Sequence, residues 1–202
     1  MVWVMSEDTR PRRMRADAER SAARILDAAE VVLALDAGAA VERIADEAGL
    51  ARATVHRRFP SRKALVEALI ERLNDRYLIG LKQARVQTAP PVVALHRLTE
   101  IVFELKISHR FAMEIAADPA RRPHLNREVQ EGLELLFTRL HAAGAITSPG
   151  PAWGRQVFLA LLQEVDSLPA DAPELAHTDD EVGARVDLLV RSVLGALGGS
   201  PG

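Results

Sequence analysis

The chain of 202 residues carries 26 Lys/Arg against 28 Asp/Glu, a formal charge of −2, with 48% hydrophobic residues and no cysteine. That is enough apolar material for one large domain, or for a small head joined to a larger body. It excludes disulfides and thiolate metal sites, and no apolar run approaches the length of a membrane span.

The opening "MVWVM" is too short for a signal peptide and no small-residue cleavage site follows it, so a cytoplasmic location is expected. The near-neutral total hides an asymmetry. Residues 1–63 hold 12 Arg/Lys against 10 Asp/Glu, whereas residues 64–202 hold 14 against 18. Residues 1–19 include "RPRRMR" (Arg10 to Arg15) and show no apolar stripe. They are expected to form a flexible basic arm, either reaching into a minor groove, where negative potential is focused, or remaining a solvated tail.

From there almost every long segment reads at helical period. Ile25, Ala28, Ala29 and Val32 make the stripe of a first helix, with Gly38 placed for a left-handed C-terminal cap. A short second helix is predicted from about Val41 to Ala48, with Val41, Ile44, Ala45 and Ala48 inward, and a third from about Arg52 to Arg58. Ser61 is placed as N-cap of a long fourth helix, whose stripe is Leu65, Ala68, Leu69 and Leu73 and which continues into the eighties. "APP" (Ala89 to Pro91) ends it, because a residue before proline is pushed out of the helical region. A fifth helix follows with Leu95, Leu98, Ile101, Val102 and Leu105 on one face, then a short sixth over roughly His109 to Ala117. Asp118 and Pro119 read as N-cap and first turn of a seventh helix that closes at Gly144. "SPGP" precedes an eighth, about Ala152 to Leu168, and a loop spans Pro169 to His177. "TDDE" (Thr178 to Glu181) has capping-box spacing for a final helix ending near Gly198. No segment alternates as a strand would, so an all-α fold of about nine helices is expected.

Gly49 lies one residue past the apolar stripe of the second helix, where a tight turn calls for a left-handed residue. Leu50 can then plug between two helices that meet at a steep angle. The third helix has Ala53, Val55 and Phe59 as its apolar side and Arg52, Thr54, His56, Arg57 and Arg58 as its outward side. A helix-turn-helix sets the start of its second helix in the major groove, where such side chains reach base edges and phosphates. Spacing alone also allows a helical hairpin with a solvated arginine face.

The stretch "RILDAAEVVLALDAGAAVERIADEAGLARATVHRRFPSRKALVEALI" (Arg24 to Ile70) resembles the N-terminal domain of the TetR (tetracycline-repressor-like) family of transcriptional regulators. Four linked elements carry the resemblance in order: the ILDAA-type first helix, the IA-x-x-AG-L turn, the A-T-V-x-x-x-F recognition helix and the S-x-K-x-L start of helix four. It implies a three-helix head over 20–66, joined by the long fourth helix to a ligand-binding and dimerisation bundle over 67–202. Three positions depart from the family's habit: Ala40 where threonine commonly precedes helix two, Ala51 where serine heads the recognition helix, and His56 in place of tyrosine. The two alanines remove capping hydroxyls.

Carried over position by position, the resemblance makes Thr54 a base or phosphate contact, and Arg52 and Arg57 the candidates for reading base edges, since guanidinium forks match the two acceptors of guanine. Lys63, Arg43 and His56 are expected at phosphates, Lys63 with help from the positive end of helix four. Apolar residues on the last two helices (Trp153, Val157, Leu161 and Leu162; Val182, Val186, Leu189, Val193 and Leu197) exceed what one short bundle needs and predict a homodimer seam. Two identical heads then demand a roughly palindromic double-stranded DNA operator. The resemblance also implies that helices five to eight enclose a small-molecule effector pocket, with Phe103, His109, Phe111, Met113, Phe137, His141 and Phe158 as candidate lining residues.

No nucleophile elbow, phosphate loop, HExxH pattern or redox cysteine pair is present, and the six histidines are scattered, so neither an enzyme nor a metal site is expected, and no cofactor. The expected function is a ligand-responsive repressor released from its operator by a small molecule. The competing reading is a helical protein-interaction or small-molecule-binding module with no specific DNA target.

Overall fold

The structure is a computed structural model that describes residues 9–109, 111–112, 125–175 and 180–199, with side chains from Ala16 onward. Eight helices and no strand occur among them: α1 (Thr9–Leu35), α2 (Val41–Ala48), α3 (Arg52–Arg58), α4 (Arg62–Gln83), α5 (Pro91–Ser108), α6 (Arg127–Ala142), α7 (Pro151–Ser167) and α8 (Glu181–Ala196). The all-α expectation holds, and none of these helices is long and apolar enough to cross a membrane. The expected sixth helix lies largely outside the described residues, as do Asp118 and Pro119. The helix that was to follow them starts instead at Arg127, where the Asn126 side chain accepts from the Val129 amide at 2.9 Å.

The chain divides into two compact units, Met1–Glu71 and Arg72–Gly202, and α4 runs through the division. In the first unit Ile25, Ala29 and Leu33 of α1, Ile44, Ala45 and Ala48 of α2, Val55 of α3, and Leu65 and Leu69 of α4 are all buried, with α1 packed on α2 and α2 on α3. Each fully buried leucine, isoleucine or valine contributes roughly 1.5–3 kcal/mol, which is how so small a unit holds two helices as short as α2 and α3. The arginine-rich segment is helical from Thr9, so it forms the first turns of α1 and not an extended arm. Gly38 does not adopt the left-handed conformation expected of it; α1 stops at Leu35 and Asp36 makes the turn, its Oδ1 accepting from the Gly38 amide at 3.0 Å.

In the second unit α5, α6, α7 and α8 close a ring of packed neighbours, each helix against the next and α8 back on α5. Phe137 and Phe158 sit at its centre, both buried, with ring centroids 6.3 Å apart and planes tilted by 56°. Gly154 permits the approach of α6 to α7, since a β-carbon there would lie 2.6 Å from the Phe137 ring. Arginines tie the ends together. Arg185 donates to the carbonyls of Val165 (2.5 Å) and Leu168 (2.8 Å) at the end of α7, and Arg139 donates to Val86 and to Ala89 (2.8 Å) in the connection between α4 and α5. The Arg185 bonds reach the end of α7, where the last carbonyls of a helix lack intrahelical partners, and the Arg139 bonds hold the connection.

Candidate nucleic-acid interface

The turn between α2 and α3 is a Schellman motif. Gly49 has φ 61° and ψ 40°, its amide donates to Asp46 O at 3.0 Å, and the Leu50 amide reaches back to Ala45 O at 3.0 Å. Leu50 is half-buried. Both flanking N-caps, Ala40 and Ala51, have extended backbones and no side-chain cap bond. The missing hydroxyls leave amide groups at the starts of α2 and α3 without side-chain acceptors.

Two arginines that sequence spacing did not single out hold this motif in place. Arg24 of α1 donates to Ala48 O at 2.6 Å and to Gly49 O at 3.4 Å, capping the end of α2 from outside. Arg62, at the start of α4, donates to Ala39 O at 2.9 Å and also to Ala37 O, pinning the loop that enters α2. A guanidinium has five N–H donors in a rigid fork, so one side chain can serve two carbonyls. No local signal marks these bonds, because the partners lie more than twenty residues apart.

Held this way, α3 buries only Val55, with Thr54 and the following Phe59 half-buried. Ala53, expected on the apolar side, is exposed: in so short a helix one buried position already fills the contact with α2. Arg52, His56, Arg57 and Arg58 are all exposed, with three basic side chains in the last turn. Ser61 caps α4 as expected, its hydroxyl accepting from the Ala64 amide at 3.1 Å. Beyond it Lys63 stands 85% exposed, with only a loose contact to Glu67 at 3.8 Å. Arg43 on α2 is exposed as well, and pairs with Asp36 at 3.0 Å. The unit thus presents six cations, Arg43, Arg52, Arg57, Arg58, Lys63 and (when protonated) His56, on a surface whose scaffold is fixed by other arginines.

The second unit corrects several expectations. Val186, Leu189 and Val193 have no exposed surface in the single chain, so they belong to its own core and cannot supply a seam. Leu162 and Leu197 are buried as well, though not completely. Trp153 is 57% exposed, and Val157, Leu161 and Val182 are partly exposed. Of the expected pocket residues, only Phe158 lines the apolar cavity found here, a space of about 30 Å³ bounded also by Tyr77, Leu81, Leu98, Val102 and Leu133. Phe103, Phe111 and Phe137 are buried elsewhere in the core, and His109 is half-buried at the end of α5. His141 is exposed in the last turn of α6 and does not line that cavity, while Met113 lies outside the described residues. Tyr77, which spacing does not single out, also lines this cavity, and burial pushes its phenol well above the usual range.

Comparison with known proteins agrees with this layout. Residues 25–69 match the family described as bacterial regulatory proteins, tetR family. The HTH-type transcriptional repressor LfrR of Mycolicibacterium smegmatis is 34% identical over 148 residues, which is 72% of this chain and 77% of that protein. The crystal structure of LfrR from Mycobacterium smegmatis in complex with proflavine superposes with a TM-score of 0.61 at 31% identity, covering 87% of this chain and 94% of that one. The TetR transcriptional regulator SCO0520 from Streptomyces coelicolor gives 0.54 at 25% identity, over 89% and 99% of the two chains.

Proposed function

Because this chain belongs to the TetR family and is a DNA-binding transcriptional regulator, we propose that it is a repressor that grips a palindromic operator as a homodimer and lets go when a small molecule binds its second unit. The observation that carries the reading is the cationic surface of the first unit: α3 is fastened by Val55 while Arg52, His56 and Arg57 stay exposed, flanked by Arg43 and Lys63. Arg52 and Arg57 read bases, Thr54 sits between base and phosphate, and Arg43, His56 and Lys63 meet the backbone. In a two-fold dimer the two copies of α3 enter successive major grooves about 34–36 Å apart.

The seam we propose uses the face that the single chain leaves open. Trp153 on α7 is exposed and Val157 and Leu161 partly so, Ser192 and Gly195 on the neighbouring α8 are also at least partly exposed, and a β-carbon on Gly195 would meet empty space. Apolar and small residues on two adjacent helices suit a four-helix contact with a second copy.

The apolar cavity around Tyr77 and Phe158 is the effector site in this reading. At about 30 Å³ it has room for little more than a water molecule, whereas ligand pockets run to roughly 300–1,000 Å³. An effector must therefore open it, and binding is coupled to a change of shape from the outset. Release of DNA follows if the opened form sets the two heads at a spacing the operator does not fit. LfrR has been crystallised with proflavine, which makes proflavine a first probe.

The test is fluorescence anisotropy with the DNA upstream of the chain's own gene, with and without proflavine and other aromatic cations. Tight, sequence-dependent binding that an effector weakens supports the reading. Binding no tighter than to unrelated DNA of the same length would sink it.

A further inference from the structure

Arg43, assigned above to a DNA phosphate, already has an anion. Its Nη1 donates to Asp36 Oδ2 at 3.0 Å. Asp36 is not free to drift away. Its Oδ1 accepts from the Gly38 amide at 3.0 Å, its carbonyl accepts from the Ala39 amide at 2.9 Å, and its own amide continues the α1 ladder to Val32 O at 3.0 Å. One carboxylate oxygen is thus committed to the turn and the other is aimed at the guanidinium. The pair is open to solvent, with side chains 57% and 50% exposed, so it adds little to folding and a nucleic-acid phosphate can reach it. A phosphodiester and a carboxylate present the same kind of acceptor to the same fork.

We propose that Asp36 is a built-in competitor for the DNA phosphate at Arg43, holding the affinity of the head below what its cations would otherwise give. The proposal rests on the DNA-binding reading of the first unit. Each time Arg43 takes a phosphate it must leave Asp36, and the freed carboxylate then stands close to the DNA backbone, where like charges repel. The cost falls on the sequence-independent part of binding, because phosphates carry no base identity. Weak nonspecific binding is what lets a regulator leave the wrong sites, so the competitor favours release over capture at random DNA.

Asp36→Asn separates charge from turn: the amide oxygen can still accept from Gly38, but the anion is gone. The variant should melt within a degree or two of the parent. It should bind both operator and random DNA about two- to fivefold more tightly, the range of an exposed ion pair. Its salt dependence should also steepen by up to about one phosphate contact. Asp46→Asn, which removes an exposed carboxylate elsewhere on α2, controls for the general effect of one less negative charge. The gain from Asp36→Asn should exceed that from Asp46→Asn in the wild type and fall to the same level when Arg43 is alanine. Equal gains from the two variants, or a gain that survives Arg43→Ala undiminished, would overturn the competitor role alone. Wild-type protein that binds no DNA would overturn the proposed function, and this role with it.

Discussion

The Arg24 guanidinium of α1 donates to the Ala48 carbonyl, at the end of α2, across 2.6 Å. This bond fixes where α2 stops, and hence the angle at which α3 leaves Gly49. Arg24→Met keeps most of the apolar stem but loses the donors. A hydrogen bond from a charged donor contributes about 1.5–3 kcal/mol, and partial exposure places this one at the low end. Urea denaturation should show a loss of about 1.5 kcal/mol. DNA affinity should fall while its salt slope stays that of the parent, because no phosphate contact is removed. A shallower slope would instead make Arg24 a phosphate contact.

The caps around the turn permit changes of opposite sign. Gly49→Ala forces a β-carbon into the left-handed region, at about 1–2 kcal/mol, and sets it 3.1 Å from Arg24 Nη2. Ala40→Ser restores an N-cap hydroxyl to an exposed site with extended backbone, and should add about 1 kcal/mol. Thermal melts of the two variants should move apart, one below the parent and one above. If Ala40→Ser is neutral, the start of α2 does not need a side-chain acceptor.

Arg57 and Lys63 are both exposed, but one stands on α3 and the other in the first turn of α4. Arg57→Ala should weaken operator binding by about 1–3 kcal/mol and relax preference at one position of the site. Lys63→Ala should weaken all sequences alike and lower the salt slope by about one contact. Binding-site selection on each variant checks this, and identical sequence profiles would reject the division of labour.

The assembly can be tested with two leucines that look alike in sequence. Leu161 is partly exposed on α7, whereas Leu189 on α8 is wholly buried within the chain. Leu161→Glu should give a folded monomer by light scattering, with weak operator binding, because a charge is placed in the seam. Leu189→Ala should lose about 2–5 kcal/mol of stability and remain a dimer under folding conditions. A dimeric Leu161→Glu would move the seam off this face.

The contrast between those leucines shows what the sequence made legible. Helix positions, the Gly49 turn and the Ser61 cap depend on neighbours three to five residues away, and periodicity with capping chemistry finds them. Whether Val186, Leu189 and Val193 face their own bundle or a second copy is a different matter. An apolar stripe marks which side of a helix is covered but carries no record of what covers it. The arginine clamps were invisible for a related reason. Neither Arg24 nor Arg62 carries a local mark of its role, and only the fold brings them to carbonyls more than twenty residues away. His141 was assigned by residue type alone, and its place in the last turn of α6 leaves it in solvent.

Val55 is the only fully buried side chain of α3, and five of that helix's seven residues are exposed. Those five positions therefore contribute almost nothing to whether the head folds, since the turn, the clamps and the core lie elsewhere. A mutation among them that keeps helix propensity is judged chiefly by selection on DNA, with little penalty in stability to be compensated first. Descendants of such a chain can drift from one operator to another in single steps, and duplicated copies can part company in their targets before their folds diverge at all.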